Sequence, residues 1–176
     1  MAQALSDALW QQFGGAVDML DNALAACPDE LWAEPLWRVS PESGEAANAS
    51  EFWSLAAHAL RWLERYLAAA PEERFGSLEG AAALTPAPGA VLGKAEVRGA
   101  LTAHRQRCHD MLVQLTEAEL IRPVTYSWIA AEPITYVELQ IYNLRHLQEH
   151  VAQLSLFLGL HGIPDEALDW VSRADR

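Results

Sequence analysis

The residues best placed to do chemistry are three histidines. His146 and His150 stand four apart in the segment RHLQEHVAQL, and His58 lies in the middle of FWSLAAHALRWLERYL. Residues four apart on a helix share a face, with Cβ atoms about 5–6 Å apart. From that separation two imidazoles can close on one ion through Zn–N bonds of about 2.0–2.1 Å. A third imidazole from another helix completes a set that leaves a coordination position open, as a catalytic metal requires and a structural one does not. The competing reading is a hydrogen-bonded core histidine. Phase favours the metal: Leu139, Tyr142, His146, His150, Gln153 and Phe157 share one helical stripe, and Leu55, His58, Trp62 and Tyr66 share another. Imidazoles turned inward on two helices leave several polar nitrogens to satisfy, and a shared divalent ion does so at once. Such binding needs neutral imidazoles, so the ion is expected to leave as pH falls below the free histidine pKa of about 6.5.

Four amphipathic segments must position these residues. The first, about 4–27, carries Leu5, Leu9, Phe13, Val17, Leu20 and Leu24 on one stripe. The second, about 50–69, opens where Asn48 or Ser50 can cap it and stops at Pro71. The third, about 94–116, has the ladder Val97, Leu101, His104, Cys108, Met111, Leu115, a bundle seam. The fourth, about 134–161, begins with the capping-box spacing Thr135-Tyr-Val-Glu138 and ends at His161-Gly162 with Pro164 beyond. The expectation is an all-α four-helix bundle forming one domain over residues 1–176. Residues 70–93, rich in Ala, Pro and Gly, are expected to form an irregular crossover; about 20 residues suffice to travel a ~30 Å bundle. The linker 28–49, with Trp32, Trp37 and Pro41, is expected across one bundle end, and Val124–Ile129 as a short extended piece.

Composition narrows the partners. The chain has 176 residues and a net charge of −12. An acidic surface repels nucleic-acid phosphates and anionic membranes, so neither is an expected partner. No basic leader with an apolar core opens the chain, and no run approaches 18 apolar residues. Two cysteines, Cys27 at a helix end and Cys108 in the core, make no disulfide framework and suit a reducing cytoplasm.

The inward His58 in FWSLAAHALRWL, the H-x-x-x-H followed by x-x-Gln in HLQEHVAQL, the run into PDELW and the stretch LTEAELIRPV together resemble the DinB/YfiT-like superfamily. The resemblance covers nearly the whole chain. It implies a DinB-like bundle of up-down-down-up topology, with the long crossover between the second and third helices. It also implies a metal near one end held by His58, His146 and His150, with water completing the shell. The expected ion is zinc or nickel, with manganese or iron as alternatives. Relatives are often homodimers, and characterised ones include transferases and isomerases that use a low-molecular-weight thiol. The resemblance thus implies a metal-dependent enzyme acting on a small molecule, a thiol-dependent S-transferase or a hydrolase. The alternative is a non-catalytic, stress-related metal-binding bundle; a degenerate site serving as an interaction module is disfavoured by retention of all three histidines.

Other residues have narrower roles. HLQEH also fits the inverted zinc-protease motif H-x-x-E-H, with Glu149 as base. That motif needs a third ligand far downstream, and 26 residues follow His150. Glu149 is better read as a solvated carboxylate or one that supports a ligand. Gln153 and Tyr142 lie on the metal stripe and could orient an imidazole or a bound water. His104 reads as a satisfied core histidine, His109 as exposed, and His161 as a helix C-terminal residue. Arg61, Arg65 and Arg145 flank the histidines; they could offset the charge of an anionic cosubstrate in the pocket, and read first as ordinary exposed helix charges. The tryptophans are expected in core and linker packing.

Overall fold

The computed structural model describes residues 2–174. Helix α1 (Ala2–Ala26) buries Leu9, Phe13, Val17, Leu20 and Leu24. Leu5, expected on the same stripe, is 39 % exposed. At 100° per residue each four-residue step drifts about 40°, so Leu5 has rotated about 80° off Phe13. Ser6 takes the inward position instead, and its Oγ donates to the Leu115 carbonyl.

Helix α2 (Phe52–Ala68) starts two residues later than expected, and neither anticipated cap is used. Glu51 occupies the N-cap position without a side-chain capping bond, while Ser50 Oγ donates to the Trp37 carbonyl at 2.7 Å, tying the 28–49 linker to the helix start. Trp32 from that linker is buried and its indole donates to the Leu92 carbonyl. The helix ends at Ala69, in the left-handed region at φ 44°.

The crossover 70–93 is less irregular than expected. It holds a 3₁₀ stretch (Glu72–Ser77) and a short helix, α3 (Glu79–Ala83). Five residues are too few to show a period. What fixes α3 is tertiary: Glu64 on α2, only 2 % exposed, receives the Gly80 backbone N–H. The carboxylate sits so close that a Cβ at position 80 would collide with it, which is why glycine stands there. Arg107 and His104 complete the cluster, Arg107 through Nη1 and His104 through Nε2 at 3.4 Å.

Helix α4 (Lys94–Leu112) buries Val97, Leu101, His104 and Cys108 as the ladder requires, then turns Leu112 inward where Met111 was expected. It stops four residues short of the expected end, because Thr116 caps a new turn, α5 (Glu117–Leu120). The expected extended piece shrinks to β1 (Pro123–Val124), paired antiparallel with β2 (Ile134–Thr135). Helix α6 (Tyr136–Leu160) begins where expected, with Thr135 Oγ1 accepting from the Glu138 N–H, and Gly162 at φ 81° follows its end.

The fold is all-α apart from the small hairpin. Helix α1 packs on α4 and α6, and α2 packs on the same two. One apolar cluster runs from Leu9 to Ala174 through all four long helices. The contact between α2 and α6 carries buried polar hooks as well: Tyr136 Oη donates to the Leu67 carbonyl, Gln140 Nε2 to that of Tyr66, and Asn143 Nδ2 to that of Leu63. These bonds set the register that brings His58 opposite His146 and His150. Cys27 and Cys108 are buried free thiols; burial pushes Cys27 up to about 11 and Cys108 higher still. No described helix is long and apolar enough to cross a membrane.

Candidate metal centre

The three histidines named from the sequence converge. One nitrogen from each of His58, His146 and His150 lies within 4.8 Å of the others. His146 Nε2 is central, 3.4 Å from His58 Nε2 and 3.1 Å from His150 Nε2. Ligands about 2.0–2.1 Å from a tetrahedral ion stand about 3.4 Å apart, so the spacing is close to what a shared ion needs.

The electrostatics favour the same state. Burial, with the charges His150 and His146 would carry, pushes His58 down to about 3. Burial and His150 push His146 down to about 4. Burial also lowers His150, against the opposing pull of Gln153 and Glu149. All three imidazoles are therefore neutral at pH 7, the form that offers a lone pair to a metal.

The hydrogen-bond pattern provides a test of fit. A neutral imidazole has one N–H and one lone pair. Gln153 Oε1 lies 2.8 Å from His150 Nδ1 and accepts its proton, which leaves His150 Nε2 a bare lone pair facing His146. The buried His146 Nδ1 has no partner among the described residues in either tautomer, so the fit is decided at Nε2. There the three Nε2 atoms face one another, and a cation at the convergence point would use their lone pairs together. The donor set fits a divalent ion.

The neighbouring residues divide clearly. Gln153, on the same stripe, is hydrogen-bonded through Oε1 to His150 Nδ1. The Tyr142 ring lies nearly parallel to His146, at 17° and 6.4 Å, as part of a wall. Glu149 is exposed and reads as a solvated carboxylate. His104 is buried against Glu64, His109 is half-exposed against Trp10, and His161 bonds the Phe157 carbonyl at the helix end.

Two tryptophans depart from the expected packing role. Trp62 and Trp128 join Tyr66 and Tyr142 around a cleft of about 270 Å³ that reaches His58 and His146. Trp62 and Tyr66 were visible on the His58 stripe. Trp128 was not, because it arrives from the loop after β1, where its indole donates to Tyr66 Oη at 3.1 Å. A second, larger cavity of about 770 Å³ also opens on His58, between α2 and residues 86–91. Arg61 lines it, half-buried rather than exposed, with Nη1 donating to the Leu84 carbonyl. Arg65 is half-buried over Trp62, while Arg145 is exposed as expected.

A sequence model of the DinB superfamily matches residues 8–154, a span that includes all three histidines. The chain belongs to the DinB superfamily. No curated protein and no solved structure matches it. For this DinB-superfamily chain the environment of the imidazoles revises the pH dependence expected from free histidine. In metal-free protein the folded imidazoles stay neutral while unfolded ones, at about 6.5, take up protons. The unfolded state then binds more protons, so stability is full above pH 6.5 and falls as pH drops toward 4. In loaded protein the ion should persist well below pH 6.5, since protons compete for the nitrogens only at their lowered pKa values. A chromophoric chelator titration reads the release midpoint; a midpoint at 6.5 or above would contradict this assignment.

Proposed function

We propose that this chain is a metal-dependent enzyme in which His58, His146 and His150 hold one divalent ion, zinc or nickel first and manganese or iron otherwise. The observation that carries the reading is the convergence of three neutral imidazoles between two cavities. When bound, such an ion acts as a Lewis acid and lowers the pKa of a coordinated water or thiol. The chain's residues supply the rest. Gln153 fixes the tautomer and orientation of His150. Trp62, Tyr66, Trp128 and Tyr142 give an apolar wall that limits water around His146. Two openings that share His58 suit two reactants, which supports a thiol-dependent S-transferase over a hydrolase.

The same reading orders the long helices up-down-down-up with residues 70–93 as the crossover. It places the protein in the cytoplasm, supported by two unpaired buried thiols. It also makes the chain a homodimer, which light scattering checks against the 19.4 kDa of one chain. The decisive experiment starts with metal analysis of protein purified without chelator or histidine tag, where close to one equivalent per chain is expected. Cobalt-loaded protein should then give a thiolate-to-metal charge-transfer band with glutathione, bacillithiol, mycothiol or cysteine. No band, together with turnover of a simple ester or amide, favours the hydrolase. A metal without either leaves a non-catalytic metal-binding bundle.

A further inference from the structure

We propose that Arg61 anchors a carboxylate of a small-molecule reactant in the larger cavity, beside His58. The inference rests on the metal-centre reading and deepens it by naming a chemical class. Arg61 follows His58 by three residues, so the two side chains leave the same face of α2 about 5–6 Å apart at Cβ. Both line the cavity that α2 forms with residues 86–91.

The guanidinium is half-buried, and one of its five N–H groups is spent on the Leu84 carbonyl. Among the described residues no carboxylate forms an ion pair with it, in a chain with twice as many acidic as basic residues. Burial and the nearby charge of Arg65 both work against its cationic form. A cation held this way lacks a counter-charge, and a carboxylate is the planar partner that its fork of donors matches. Glu51 is the acidic residue lining the cavity. It sits ten residues back along α2, about 15 Å of helix rise, and its carboxylate already accepts from the Trp53 indole. The cavity therefore has a cationic end beside the metal nitrogens and an acidic end remote from them. A single guanidinium inside a chain of net charge −12 favours a monoanionic group over a dianion.

The competing account makes Arg61 a strut that only holds the crossover through Leu84. Paired probes separate the two. Cobalt-loaded protein is titrated with 3-mercaptopropionate and with 3-mercapto-1-propanol, which differ in the carboxylate. The acid should bind about tenfold tighter, the worth of one charge-assisted contact. R61Q should abolish that preference while leaving the alcohol's affinity within about twofold. Ala90→Glu, in the exposed cavity wall, should weaken the acid alone and does not depend on the Leu84 bond. Equal affinities in the parent protein, or a preference that survives R61Q, would overturn the proposal.

Acetohydroxamate and N-hydroxysuccinamate repeat the comparison without a thiol. An acid preference confined to that pair removes the thiol reading and keeps Arg61. If cobalt does not bind, the Arg61 Nε–H resonance, assigned by its loss in R61Q, is followed in metal-free protein during propionate titration. A saturable shift keeps the anchor after the metal reading has failed; an unmoved resonance ends both.

Discussion

His146→Ala protein is expected to emerge from purification with less than about a tenth of an equivalent of metal, against close to one for the parent chain. His146 Nε2 is the nitrogen that both other candidate ligands approach, at 3.4 and 3.1 Å. Shared among four ligands, the roughly 10–16 kcal/mol of a structural zinc site is about 3 kcal/mol each, a hundredfold or more in affinity. The scaffold should survive the change. The ring is half-buried and its Nδ1 has no partner among the described residues, so alanine removes an unsatisfied atom along with the ligand. The variant should therefore unfold at or near the temperature of metal-free parent protein, and below that of the loaded parent. Elemental analysis and thermal unfolding together check this; a fully loaded His146→Ala protein would refute the site.

Glu64→Ala should destabilise the fold strongly for a polar change away from the histidines. Burial pushes the Glu64 carboxyl up, but His104, Arg107 and the Gly80 N–H together outweigh it and hold the group below the ordinary glutamate value. Removing it strips the buried His104 and the α3 backbone of their partner at once. Breaking a buried pair this way costs roughly 3 kcal/mol, discounted here because Arg107 keeps solvent access. For a chain of this size that is a fall of about 6–12 °C in Tm. Glu64→Gln keeps the shape and an acceptor and should cost less. Circular dichroism melts of the two variants decide it, and a loss below about 1 kcal/mol for alanine would show the cluster to be incidental.

The parts of this fold legible in the sequence were those that repeat. Long stripes placed α1, α2, α4 and α6 within a few residues, and the stripe carrying His146, His150 and Gln153 put the candidate ligands on one face. What escaped has no period. The α3 turn depends on Glu64 and Gly80 meeting across the crossover, and the hairpin depends on two strands of two residues each. Trp128 reaches the site through a loop whose course no local pattern states. Arg61 was visible on the right face, but its half-burial follows from where residues 84–91 lie. Phase identifies which side chains share a face; only packing shows what covers that face.

The hooks from Tyr136, Gln140 and Asn143 onto α2 hold the two histidine-bearing helices in register by themselves. Metal is therefore not needed to bring those helices together, unlike in a zinc finger, whose folding waits for its ion. On the proposed reading, the centre would be filled or emptied in a chain that is already folded. Its imidazoles would accept several first-row ions, in an order set by general affinity rather than by this chain. On the proposed reading, which ion occupies the centre is then a question of supply, and one population of molecules would change its metal as that supply changes.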